Sequence, residues 1–188
     1  FDLHGLCKSA WVTRAARAPR RIGPSYAREL SWLAYSERSG KPRRQRHHAD
    51  QALDLLDHLG LVRPATAAVA LRYPSVPLPP AQYRLALAPV SRWRTKDWPL
   101  THYQELVRTL ATLPGVRLFV VGARADHAVA EKLVAAAPAV TENLCGQLTL
   151  PQLFGALNEC DLLIANDTGP VHVAAALGRP CLVLFGPT

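Results

Sequence analysis

Short apolar runs and amphipathic stretches alternate along the second half of the chain, and the alternation predicts its elements. The runs at 85–89, 116–121, 162–165 and 181–185 have strand lengths, and 116–121 reads as an apolar strand, as expected for a sheet covered on both faces. Between them, residues 101–113 repeat Leu106, Leu110 and Leu113 on one helical face, and residues 126–137 are also helical. Leu144 belongs to a further short strand. Thr149 opens a helix with Gln152 three positions on, a capping-box spacing that satisfies amides at a helix start. A short helix is expected over 170–177. Such alternation of strands and helices requires a parallel sheet with right-handed crossovers, a Rossmann-like α/β domain.

The first part reads differently. A helix is expected over 9–18, then a basic loop, a helical patch at 26–35, and a clear helix over 48–59. In that last helix Leu53, Leu56 and Leu59 share a face and Gly60 supplies a cap. Pro74, Pro77, Pro79 and Pro80 cannot sit inside a helix or a central strand, so 74–82 is expected as a linker between residues 1–73 and 83–188.

At 188 residues and 49% apolar content the chain can bury the core of one domain, or of one domain and part of another. It holds no apolar run of bilayer length. It starts at Phe1 on a strand-like stretch, has no Met, and stops just after an apolar strand, so the expectation is a piece of a longer protein, truncated at both ends. Cys7, Cys145, Cys160 and Cys181 follow no paired or zinc-type spacing, a pattern that suits a reducing cytoplasm.

The net charge of +8 is concentrated in the first quarter, at Lys8, Arg14, Arg17, Arg20, Arg21, Arg28, Arg38, Lys41, Arg43, Arg44 and Arg46. That field favours an anionic partner such as a phospholipid surface or a phosphorylated substrate; a solvated basic face is the plainer reading. Aromatic residues do not interleave with these cations, so nucleic acid is not expected as a partner.

Ligands of such a sheet bind beyond the carboxyl ends of its strands. Three loops there carry polar chemistry. The loop 91–99, Ser-Arg-Trp-Arg-Thr-Lys-Asp-Trp-Pro, offers a hydroxyl and cations to a diphosphate, or else staples the next helix. In 122–127, Gly122 permits a sharp exit from a strand; Asp126 can bind a ribose diol or simply cap a helix. In 166–169, Asn-Asp-Thr-Gly precedes Pro170, a residue suited to the first helical turn. Gly169 admits a ligand close to the backbone, the first-turn amides attract an anion, and the His172 ring can reach the same anion. Asp167 or Thr168 acting as an ordinary cap is the alternative there.

Several classes are excluded. No Asp-x-Asp pair, Walker A loop, Gly-x-Gly-x-x-Gly or Gly-x-Ser-x-Gly motif occurs. His47 and His48 have no metal partners at useful spacing.

The stretch NDTGPVHVAAALGRPCLVLFGPT, preceded by SRWRTKDWP and VVGARADH, resembles the ADP-heptose:lipopolysaccharide heptosyltransferase family, glycosyltransferase family 9. FDLHGLCKSAWVTRAAR, RIG at 21–23, ARELSWLAY and HHADQALDLLDHLGL resemble its acceptor-side segments. The resemblance implies a GT-B architecture of two Rossmann-like domains: a partial acceptor-side domain over 1–73 and an incomplete nucleotide-sugar domain over 83–188. It implies inverting, metal-independent transfer of heptose from ADP-L-glycero-D-manno-heptose to the lipopolysaccharide inner core, with no cofactor. Ser91 and Lys96 would hold the diphosphate and Asp126 the adenosine ribose. Asp167, Thr168, Gly169 and His172 would engage the diphosphate and heptose. The acceptor would be Kdo-lipid A or a heptosylated core, met at the cytoplasmic face of the inner membrane. The family's Gly-Asp loop, which carries its general base, is not in this sequence, nor are the helices that follow FGPT. The chain given is therefore expected to be catalytically inactive by itself. Two other readings stay open at this point: a non-catalytic nucleotide- or lipid-binding module, and a transferase using another nucleotide sugar. A nicotinamide-dependent oxidoreductase follows from the fold alone.

Overall fold

The computed structural model describes residues 1–40, 48–62 and 71–186, without the side chains of residues 48, 49 and 94. Lys41, Arg43, Arg44, Arg46 and His47 lie outside the described residues. The chain divides into two units, Phe1–Ala67 and Ala68–Thr188.

In the first unit, helix α1 spans Cys7–Ala15, strand β1 Ile22–Pro24, strand β2 Glu37–Ser39 and helix α2 His48–His58. The strands β1 and β2 pair in parallel, Ile22 opposite Glu37 and Pro24 opposite Ser39. This departs from the expected basic loop. Three-residue strands are too short to display a period of two, and their pairing partner is remote in sequence. The expected helical patch reduces to a 3-10 turn, Ser31–Ala34. At the end of α2 the expected cap is present: Gly60 has φ +68°, its N–H donates to Asp57 O, and Leu61 N–H donates to Leu56 O.

The second unit is a five-stranded, wholly parallel sheet. Its strands are β3 (Tyr83–Ala88), β4 (Val116–Val120), β5 (Thr141–Asn143), β6 (Leu162–Asn166) and β7 (Cys181–Leu184), in spatial order β5-β4-β3-β6-β7. The helices are α3 (Leu100–Leu110), α4 (His127–Val134), α5 (Leu150–Asn158) and α6 (Gly169–Ala176). Alternate residues of the inner strands face opposite sides. Leu85, Leu87, Leu118, Val120 and Ile164 pack with Tyr103 and Val107 of α3 and Leu133 of α4. Ala86, Ala88, Phe119, Leu163 and Ala165 pack with Leu157 of α5 and Ala174 of α6. Both faces are covered, which is why these runs lack a polar stripe.

Several boundaries shift: α1 spans Cys7–Ala15 rather than 9–18, and α3 ends at Leu110 rather than at 113. Helix α4 starts after a 3-10 turn at Arg124–Asp126, and Leu144 falls just past the polar strand β5. The Pro-rich stretch lies within the second unit: Leu78 packs on the α5–α6 side of the core and Pro79 O accepts a hydrogen bond from Arg84 Nε.

Candidate functional site

The chain leaves β3 toward β4 on one side and returns through β6 on the other. Loops after β3 and β6 therefore part at the carboxyl edge and leave a crevice, the position where doubly wound sheets bind ligands. A cavity of about 520 Å³ occupies it. Ser91, Asp126, Thr168 and Gly169 line this cavity, so three loops that are distant in sequence meet as expected. Val121, Leu144, Leu148, Leu150 and Leu153 form an apolar part of its wall. Arg92 adds a cation, its guanidinium 5.8 Å from the Trp93 ring.

Each loop has a local cause. Gly122 leaves room for its neighbours: a Cβ there would stand 2.7 Å from Asp126 Oδ2 and 3.1 Å from Cys145 Sγ, so a larger residue would displace the Asp126 carboxylate. Asp126 Oδ2 in turn accepts the Ala123 N–H at 2.7 Å, reaching back to the start of the 3-10 turn; it makes no side-chain cap bond to α4, and the side chain borders the cavity. Gly169 is the opposite case. A Cβ built there meets no protein atom within 4 Å, so nothing in the protein demands glycine. The open space leaves the start of α6 accessible, and no side chain caps that helix.

Lys96 and Asp167 sit together but do not line the cavity. Lys96 Nζ donates to Asp167 Oδ2 at 2.6 Å. That hydrogen bond holds the Asp167 carboxyl below the usual carboxylate range, with a further contribution from His172. His172 is exposed in the first turn of α6. The Ser91 hydroxyl donates to Trp93 O at 2.8 Å and so shapes its own loop.

Asn166, the last residue of β6, was not among the expected site residues. It is fully buried. Its Nδ2 donates to Pro89 O at 2.6 Å and to Asp97 Oδ1 at 3.3 Å; its Oδ1 accepts from Trp98 N–H at 3.1 Å and Tyr103 O–H at 3.3 Å. Asp97 Oδ1 also accepts the Ser91 N–H at 2.8 Å. The available signal was a lone carboxamide ending an apolar strand, a group that must find partners when buried. Burial in this network also pushes the Tyr103 hydroxyl well above the ordinary tyrosine range, with the Asp97 carboxylate adding to it.

A parallel sheet covered by helices on both faces, with a cavity at its switch point and an uncapped helix start, defines a Rossmann-like ligand-binding domain of the α/β class. The sequence model of Glycosyltransferase family 9 (heptosyltransferase) matches residues 1–188, and the chain belongs to that family. Lipopolysaccharide heptosyltransferase 2 of Salmonella typhimurium is 36% identical over 97 residues, covering 50% of this chain and 28% of its own length. Lipopolysaccharide heptosyltransferase 1 of Escherichia coli (strain K12) is 29% identical over 195 residues, covering 100% of this chain and 60% of its own length. The solved structure of E. coli heptosyltransferase WaaC with ADP-2-deoxy-2-fluoro heptose matches with a TM-score of 0.80 at 26% identity, over 100% of this chain and 61% of that one. The chain thus spans about 60% of the length of the relatives that match it throughout. Among the described residues, no helix is long and apolar enough to cross a membrane.

Proposed function

We propose that the protein containing this chain transfers heptose from ADP-L-glycero-D-manno-heptose to the inner core of lipopolysaccharide. In the transfer, an acceptor hydroxyl oxygen attacks the anomeric carbon of heptose from the face opposite ADP, and its proton passes to a general base of the full-length protein. The bond from that carbon to the diphosphate oxygen breaks, ADP leaves, and the configuration inverts. No metal neutralises the departing diphosphate; Lys96, Ser91 and the amides at the start of α6 take that role, as preorganised dipoles and charges do. Asp126 holds the adenosine ribose, with the base against the apolar wall. Asp167, Thr168, Gly169 and His172 engage the diphosphate and heptose. A lipid-anchored acceptor puts the reaction at the cytoplasmic face of the inner membrane, where the basic first segment meets anionic headgroups.

The observation that supports this reading most is the convergence of Ser91, Asp126, Thr168 and Gly169 on one cavity beside the Lys96–Asp167 pair. The kinship with heptosyltransferases supports the choice of sugar. The test is ADP release by the full-length protein. Release is expected only when ADP-heptose and a Kdo-containing core acceptor are both present, and it persists in excess EDTA. Release from a different nucleotide sugar, or abolition by EDTA, would overturn the corresponding part. The anomeric configuration of the product, read by NMR, tests inversion.

A further inference from the structure

We infer that Asn166 is a positioning residue for the donor diphosphate: its buried carboxamide ties the loop after β3 to the end of β6 and so sets where Lys96 stands relative to the start of α6. The inference rests on the donor-site reading above. All four hydrogen-bonding positions of this amide are occupied, and three of the four partners belong to the loop: Pro89 where it begins, Asp97 and Trp98 where it closes. Only Tyr103 belongs to the helical core. Lys96 precedes Asp97 directly, and its ammonium reaches Asp167, the residue after Asn166. One side chain therefore fixes both flanks of the lysine to the strand that delivers Asp167, Thr168 and Gly169.

No smaller change reproduces this. Alanine would leave the buried Pro89 carbonyl and the half-buried Trp98 amide without their partners. Aspartate has the shape but no donor for Pro89 O, and it would place a second carboxylate beside Asp97. An amide that served only the stability of the core would bond to core groups; here it bonds mainly to the loop that carries a ligand-side cation.

The test uses the full-length protein with Asn166→Ala, and Tyr103→Phe as a control that removes the amide's bond to the core but not to the loop. Hydrogen–deuterium exchange in 90–98 is expected to rise about tenfold or more in Asn166→Ala, with β4 unchanged. The ADP dissociation constant is expected to rise by about tenfold, while adenosine affinity stays as in the wild type. In a Lys96→Ala background, Asn166→Ala should then add less than about twofold, because the group it positions is already gone. Tyr103→Phe should alter neither loop exchange nor the preference for ADP. Unchanged exchange in 90–98, equal loss of ADP and adenosine binding, or additive losses in the Lys96→Ala background would each overturn the inference. Should the wild type bind adenosine as well as ADP, the diphosphate reading itself fails; the exchange measurement still decides whether Asn166 holds the loop.

Discussion

Lys96 Nζ lies 2.6 Å from Asp167 Oδ2, so two loops separated by 71 residues in sequence are joined by one ion pair at the edge of the cavity. Under the proposed function, a diphosphate would compete with this carboxylate for the Lys96 ammonium, and a sugar hydroxyl would take up the carboxylate so released.

Removing the cation should weaken the leaving-group side of the reaction. Lys96→Ala is expected to lower kcat/KM for ADP-heptose by roughly 10²–10³-fold, the scale for one lost charge-stabilising donor. Steady-state kinetics on the full-length protein measure it, and normal turnover would remove Lys96 from the assigned role.

Removing the competitor should have the opposite sign for ADP. Asp167→Asn is expected to tighten ADP binding by about two- to fivefold, the scale of a partly exposed ion pair. ADP-heptose should gain less, because the carboxylate also serves the sugar. Calorimetric titration of the two ligands decides it, and an equal gain for both would show that Asp167 does not touch heptose.

Gly155 in α5 faces the backbone of Pro74, and a Cβ there would overlap the Pro74 carbonyl. Alanine in mid-helix gains about 1 kcal/mol of propensity over glycine. Overpacking against backbone costs about 1–3 kcal/mol, so Gly155→Ala should be net destabilising. The denaturation midpoint reports it, together with faster proteolysis within 71–78. A more stable variant would mean that the Pro-rich stretch is not seated on α5.

Glu37 accepts hydrogen bonds from Arg20 at 2.8 and 2.9 Å and lies 2.9 Å from His58 Nε2. These partners, Arg20 first, lower its carboxyl from 4.5 to about 2. A lowered folded-state value means the stabilisation is complete above about 4.5 and is lost as the pH falls toward about 2. An NMR titration of the Glu37 carboxyl carbon should show its midpoint near the lower value, and Glu37→Gln should flatten the acid dependence between these limits. A midpoint in the ordinary range would show the pairing to be absent in solution.

Burial raises the thiols of Cys145 and Cys160 to about 12, whereas Cys7 is exposed. Thiolate is the reactive form, so at pH 8 iodoacetamide should label Cys7 and leave the two buried thiols unlabelled until the protein unfolds. Mass spectrometry of the labelled peptides reads the order directly. Early labelling of Cys160 would indicate that the α5 side of the core opens readily.

Local pattern was enough to find four of the second unit's five strands, its alternating α/β plan and the capping box at Thr149 and Gln152, where Thr149 N–H meets Gln152 Oε1 at 2.8 Å; the short polar strand β5 carries no apolar run to announce it. These features are local: a buried strand, an amphipathic turn and a cap each announce themselves within a few residues. The motif residues Ser91, Asp126, Thr168 and Gly169 were legible for the same reason, because each follows the carboxyl end of a strand. What only the tertiary structure decided are pairings between residues far apart in the chain. The β1–β2 ladder, the seat of the Pro-rich stretch on α5 and the Lys96–Asp167 pair leave no periodic trace in the sequence. Asn166 shows the limit most plainly. Its letter marks a polar residue after an apolar strand, but its four partners become known only when the sheet brings Pro89, Asp97, Trp98 and Tyr103 around it. A buried amide must be satisfied, and the chain's topology, not its local pattern, chooses by whom.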